Sequence, residues 1–226
     1  MLVIVEIRCD PTKLRRTFEL LGFDEFLATE INGYAGGIVV VWKTYLITVA
    51  LCSKKFQFIH MKVNYPSKKE WYFTAVYASP NEDNRRMLWE DLKIIANGMC
   101  KPWMVAGDFN DIAWSIEKRG GAPASTRKCN IFRDIIDYCK LLDLGAVGPK
   151  FTWRGPLFHC GQRIFERLDR AMGNEEWRLE FPDGFIKVLP RVDFSDHHPI
   201  LIAPGGNSHP IAPRQFRFES AWLIDE

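Results

Sequence analysis

Apolar residues in this chain gather into short runs, and several of those runs stop abruptly at a polar knot. The most informative is Trp103-Met104-Val105-Ala106, which reads as a short buried strand, followed by Gly107-Asp108-Phe109-Asn110. In extended backbone residues i and i+2 share a face, so Asp108 and Asn110 are expected to project together from the strand end. The same residues also suit a plain turn, since Gly, Asp and Asn all favour turns. Far downstream, Ser195-Asp196-His197-His198-Pro199 abuts the apolar Ile200-Leu201-Ile202, and Glu166-Arg167-Leu168-Asp169-Arg170 lies between the two.

The remaining pattern predicts the following elements. Leu2-Val3-Ile4-Val5 is a continuous apolar run closed by Glu6, which predicts a strand buried on both faces with a carboxylate at its end. Residues 11–21 predict a helix with Leu14, Phe18 and Leu21 as its apolar stripe and Gly22 as its cap. Residues 36–42 and 45–51 predict a strand pair, and further strands are expected over 56–63 and 70–77. In the last of these Trp71, Phe73, Ala75 and Tyr77 share one face. A helix after Pro80 should turn Leu88, Leu92 and Ile95 inward and end at Gly98. Another should start at a Ser125 cap, run to about Leu142 and pack through Phe132, Ile135, Ile136 and Cys139. Asn174-Glu175-Glu176 marks a third start and Pro182 its stop. Strands dominate the first third and alternate with helices later, which allows a mixed α/β or α+β layering.

Composition narrows this only a little. A chain of 226 residues with 47% hydrophobic and 26% charged residues suits one large globular domain with a substantial core. A net charge of +2 announces no polyanionic partner, although a local basic face remains open. Cys9, Cys52, Cys100, Cys129, Cys139 and Cys160 form no CxxC pair and read as buried thiols of a reducing compartment. Residues 2–5 are too short a run for a signal peptide or a membrane span. Most of the 8 tryptophans are expected in the core.

The chemistry available at the knots is specific. A carboxylate such as Asp108 polarises a water or holds a cation, and an amide beside it donates a hydrogen bond without changing protonation. On the residues alone Glu6 reads as a strand-end carboxylate without a role, and Tyr77 reads equally as a core tyrosine with a satisfied hydroxyl. Arg154, Arg163, Arg167 and Arg170 cluster around the later motifs; they either meet a phosphate backbone or, as is usual, are solvated or paired. His60, His159 and His209 lack a polar frame and read as structural.

Gly107-Asp108-Phe109-Asn110, Arg167-Leu168-Asp169-Arg170 and Ser195-Asp196-His197 resemble, in order and spacing, the motifs of the endonuclease/exonuclease/phosphatase superfamily. Three further stretches resemble more narrowly the endonuclease domain of plant LINE-type (non-LTR) retrotransposons. They are Glu117-Lys118-Arg119-Gly120-Gly121, Lys150-Phe151-Thr152-Trp153-Arg154-Gly155, and Phe216-Arg217-Phe218-Glu219 with Ala221-Trp222. The resemblance implies a four-layer sandwich of two mixed β-sheets flanked by helices, with the active site at the sheet edges. It implies Mg²⁺ (or Mn²⁺) held by Glu6 and Asp196, and Asp108 as the group that orients and deprotonates a water. Asn110 and Tyr77 would contact the phosphate, and His197, oriented by Asp169, would stabilise the transition state. DNA would be the substrate, nicked to leave a 3′ hydroxyl for a reverse transcriptase of the parent polyprotein, in the nucleus if the DNA is genomic.

The family's pattern begins one strand earlier, with an asparagine that this sequence lacks. An N-terminal truncation, with loss of the first strand, is therefore expected. Residues 1–204 are expected to form the domain and 205–226 a linker toward an absent reverse transcriptase. A weak or dead remnant of such a nuclease, or another phosphoesterase of the superfamily, are the competing expectations.

Overall fold

The computed structural model describes residues 1–7, 9–29, 37–66, 70–157 and 161–206. Its centre is a six-stranded sheet in the order β4 (Thr48–Lys55), β5 (Phe58–Asn64), β6 (Trp71–Tyr77), β7 (Trp103–Asp108), β12 (Asp169–Gly173) and β9 (Leu142–Asp143). The β6–β7 pair is parallel and the others are antiparallel, so the sheet is mixed. The parallel pair requires a crossover, supplied by helix α2 (Glu82–Asn97), which Asn81 caps at one end and Gly98 closes at the other. Helix α3 (Thr126–Tyr138) lies beside it, capped by Ser125.

Strand alternation decides what each face meets. On one face Val76, Trp103, Val105 and Phe109 pack beneath Leu88, Trp89 and Leu92 of α2 and Phe132, Ile135 and Ile136 of α3. The other face carries Trp71, Phe73, Ala75, Tyr77, Met104, Ala106 and Ala171, and packs against Ile38, Val40, Trp42 and Ile186. Those residues belong to a facing layer that is hydrogen-bonded in two antiparallel pieces. One piece has the order β1 (Leu2–Ile7), β3 (Gly37–Trp42), β2 (Glu25–Ala28); the other is β13 (Phe185–Val188) with β14 (Ile200–Ala203). Helix α4 (Glu175–Glu180) wedges Trp177 into the same core. Outside β3, Phe18 of α1 (Arg15–Leu20) covers Val39 and Val41. The layers therefore run helix, sheet, sheet, helix, as expected. A smaller sheet of β10 (Trp153–Leu157), β11 (Arg163–Glu166) and β8 (Lys118–Arg119) sits at the edge.

Several expectations are corrected. Strand β3 does not pair with β4: it is apolar on both faces, is sandwiched between α1 and the central sheet, and takes β1 and β2 as neighbours, while β4 pairs with β5. Strand β1 is only half-buried, because it lies at an edge of its three-stranded piece. The helix over 11–21 splits into a 3₁₀ turn, Pro11–Leu14, and α1, leaving Leu21 in solvent. Helix α3 stops at Tyr138, and Leu142 belongs to β9. Cys9, Cys52 and Cys100 are exposed, whereas Cys129 and Cys139 are buried. Gly36, His159, Cys160, His209, most of the expected linker and the 216–222 stretch lie outside the described residues.

Candidate active site

The ends of β7 and β12 place two carboxylates face to face. Asp108 and Asp169 are direct partners in the antiparallel ladder, and Tyr77 is the partner of Asp108 across the parallel one. On each strand the residue two positions back, Ala75 or Ala106, lies in the core between the two sheets, as does Ala171 two positions on from Asp169. All three side chains therefore point into the space between the sheets at its rim.

Gly107 makes this geometry possible. Its φ is +144°, and a Cβ there would stand 2.0 Å from the carbonyl oxygen of Val76, so only glycine fits between β6 and β7. Strand β7 ends at Asp108, and Asn110 returns to its side by a different route from the expected pleat. Asn110 adopts a left-handed backbone with φ of +46°, and its N–H donates to Asp108 Oδ1 at 2.9 Å. Its side-chain amide donates to Asp108 Oδ2 at 3.0 Å and to the Ala78 carbonyl at 2.8 Å. Phe109, between them, fills the opposite core against Trp89 and Phe132.

Opposite this pair stands His197. Its Nδ1 donates to Asp169 Oδ2 at 2.8 Å, and its Nε2 lies 4.0 Å from Asp108 Oδ2. Burial alone would lower the imidazole pKa, but the hydrogen bond to Asp169 and the charges of Asp169, Asp108 and Asp196 outweigh it and raise the value to about 9. Burial, then the charge of Asp169, push the Asp108 carboxyl up to about 7, against the pull of His197 and the Asn110 N–H. Thr152 aligns the pair, its Oγ1 accepting from the N–H groups of Leu168 and Asp169. His198 turns away to the Leu189 carbonyl.

Glu6 reaches the same place through a bulge. Val3 and Val5 face the core between the sheets and Ile4 faces α1, so simple alternation would send Glu6 outward. Instead the β1–β3 register shifts between Ile4 and Ile7, Glu6 takes φ of +58°, and Ile7 occupies the outward position. Ligand atoms of Glu6, Asp196 and His197 then lie within 4.8 Å of one another, as do those of Asp108, Asp169 and His197. Two converging carboxylates suit a hard divalent cation. Asp196 is steadied by Trp153, whose Nε1 donates to Asp196 Oδ2 at 2.9 Å, while Trp153 and His197 form an isolated bridge.

The structure thus brings together Glu6, Tyr77, Asp108, Asn110, Asp169, Asp196 and His197, and adds Thr152 and Trp153, which sequence reasoning left unassigned. Two of the four arginines do not join them. Arg170 alternates with Asp169 on β12 and faces the helices, where it pairs with Glu117 at 2.9 Å and Asp143 at 3.1 Å. Arg167 shares both partners. Being paired within the protein, neither is available to a phosphate backbone. A cavity of about 810 Å³ bounded by Trp103, Tyr138, Lys140 and Asn174 opens at the opposite end of the central strands and has no part in the site.

A profile of the Endonuclease/Exonuclease/phosphatase family matches residues 2–197. The chain belongs to that family. Among solved structures it is similar to the endonuclease domain of TRAS1, a telomere-specific non-LTR retrotransposon, with a TM-score of 0.61, 15% identity, and 79% of this chain and 78% of that one covered. It is also similar to an endonuclease/exonuclease/phosphatase family protein from Leptotrichia buccalis (TM-score 0.56, 16% identity, 89% and 86% covered). A third likeness is to D. rerio TDP2 complexed with a single-strand DNA product (TM-score 0.54, 12% identity, 88% and 84% covered). At these identities the likeness is one of fold. No curated protein sequence matches. No helix among the described residues is long and apolar enough to cross a membrane.

Proposed function

We propose that this family member hydrolyses DNA phosphodiesters with a divalent metal, nicking one strand and leaving a 3′ hydroxyl from which a reverse transcriptase primes. The observation that carries the reading is the Asp169–His197–Asp108 constellation with Glu6 and Asp196 beside it. Glu6 and Asp196 would hold Mg²⁺ or Mn²⁺, which when bound offsets phosphate charge and that of the departing oxyanion. Asp108, its carboxyl poised near neutrality, takes the proton of the attacking water. His197, kept cationic by Asp169, donates from Nε2 to a phosphoryl oxygen as charge builds there. Asn110 fixes the Asp108 carboxylate; contacting phosphate as well would require it to release the Ala78 carbonyl. Tyr77 closes the floor of the site next to Asp108. The retrotransposon assignment rests on the motif resemblance and the likeness to the TRAS1 domain, with residues 1–204 as the nuclease and 205–226 leading to the polymerase.

The test is nicking of supercoiled plasmid in Mg²⁺ against chelator, followed by polymerase extension from the nick. Nicks that extend without end repair, and a loss of about 10²–10⁴-fold on His197→Ala, are expected. Full activity in chelator or in His197→Ala, or nicks blocked at the 3′ end, would refute the proposal.

A further inference from the structure

Three residues before His197, Phe194 stands 99% exposed. A lone exposed apolar residue is ordinary on any protein. This one differs in being braced. It occupies a turn closed by Ser195 N–H donating to the Val192 carbonyl at 3.2 Å. The Arg191 guanidinium donates to the carbonyls of Val192 at 2.8 Å and Ser195 at 2.6 Å, tying both sides of the turn. Ser195 Oγ in turn accepts the His197 N–H at 3.1 Å. The ring is thus held out into solvent by the backbone that positions the catalytic imidazole.

Beside this turn lies a positive patch of three arginines, Arg154, Arg163 and Arg191, met by the single exposed acid Asp193. Arg154 N–H donates to the Asp196 carbonyl at 2.9 Å, which fixes β10 against the same loop. Arg163, on the paired strand β11, donates to the Gly155 carbonyl at 3.3 Å. Among the described residues no carboxylate lies within ion-pair distance of either guanidinium, and Asp193, the acid near Arg191, is 3.7 Å away and itself exposed. Arg163 and Arg191 stand close enough to Arg154 that their charges lower its pKa. Like charges gathered at the mouth of a cleft raise the local concentration of an anion. A solvent-facing aromatic next to them matches the means by which proteins hold unpaired nucleotides, stacking for the base and guanidinium for the phosphate.

We propose that Phe194 is a stacking platform for an unpaired base next to the cleaved phosphate, with Arg154, Arg163 and Arg191 holding the adjoining strand by its phosphates. This deepens the nuclease reading and rests on it: the preferred substrate has an unstacked nucleotide at the cleavage point, because the faces of paired bases are covered by their neighbours. The test measures binding of the full chain in chelator, so that no cleavage occurs. The probes are a fluorescein-labelled single-stranded oligonucleotide, the same sequence as a duplex, and phosphatidylcholine vesicles containing phosphatidylserine. Because the ring touches nothing in the fold, Phe194→Ala should fold normally. It should weaken single-strand binding roughly 5- to 150-fold with an unchanged salt slope, and barely alter duplex binding. Phe194→Trp should restore it. Arg154→Gln and Arg163→Gln should weaken both oligonucleotides and flatten the log K against log salt slope by about 0.7 per lost single-strand phosphate contact. A wild-type chain that binds no oligonucleotide, or a Phe194→Ala effect below twofold or equal on both forms, would overturn the proposal. So would a Phe194→Ala loss confined to vesicles, which would make the turn a membrane contact. Stacking without any nicking would leave this inference standing and remove the nuclease reading instead.

Discussion

Asp108 and His197 are pushed in the same direction for opposite reasons. A raised carboxyl pKa contributes stability below about 3.8 that is lost as pH climbs through about 7. Charging Asp108 above neutrality therefore strains the fold. Asp108→Asn should abolish nicking yet raise Tm at pH 8 by ~2–4 °C, the shift for ~1 kcal/mol at this size. The gain stays modest because the new amide meets the Asn110 donors; a lower Tm at pH 8 would contradict this account. His197 contributes stability that is fully present below about 6.5 and lost as pH rises through about 9. In metal-free protein its ring signals should titrate near the upper value, and Asp169→Asn should bring that titration down; a midpoint unmoved by Asp169→Asn would show that Asp169 does not support the charge. His60 behaves in the opposite way. It is buried, accepts from the Thr74 hydroxyl while that oxygen accepts from Trp103 Nε1, and stacks on Tyr72, so it stays neutral to about 4. Its contribution is lost as pH falls from 6.5 toward 4, and His60→Phe should flatten that limb of an acid unfolding curve.

At the scale of elements, the apolar runs and caps were legible, but the neighbours were not. Trp71, Phe73, Ala75 and Tyr77 share a face as period 2 requires, and Asn81, Ser125 and Asn174 cap their helices. Pairing of β3 with β1 instead of β4 depends on which sheet needs a two-sided apolar strand, and no local pattern carries that. The residues that converge were picked out through motif resemblance, while the devices that aim them were hidden. The Glu6 bulge, the left-handed Asn110 and the Thr152 hydroxyl all depend on contacts distant in sequence. The need for glycine at position 107 belongs with them, since it is set by the neighbouring strand β6. Gly107→Ala sets a Cβ against the Val76 carbonyl and should separate β6 from β7. A loss of at least ~3 kcal/mol in urea unfolding is expected, in the range of the largest point-mutant effects. A loss under ~1 kcal/mol would mean the strands adjust at little cost. Glu117→Gln should lose a similar ~3–5 kcal/mol, since it leaves Arg170 buried without its nearer partner.

Across the whole molecule, the site is a seam. Asp108 and Asp169 come from the central sheet, Glu6 from β1 in the facing layer, and Asp196 from the loop that enters β14. Apolar contact in the shared core holds the two layers together everywhere else. At this rim acids crowd around His197 instead, and the charges of Asp169 and Glu6 oppose ionisation of Asp108. A divalent cation held by Glu6 and Asp196 would replace that repulsion with attraction across the seam, so metal binding and stability are linked. At a hundredfold excess over Kd the gain is about 2.7 kcal/mol, or roughly 5–10 °C in Tm for a chain of this length. Glu6→Gln and Asp196→Asn should each remove most of the Mg²⁺-induced rise. Ionic strength must be matched with NaCl, because salt alone screens the same repulsion. A Mg²⁺ rise that survives both substitutions would place the cation elsewhere, and the absence of any rise in the wild-type chain would leave Glu6 and Asp196 without the role assigned to them.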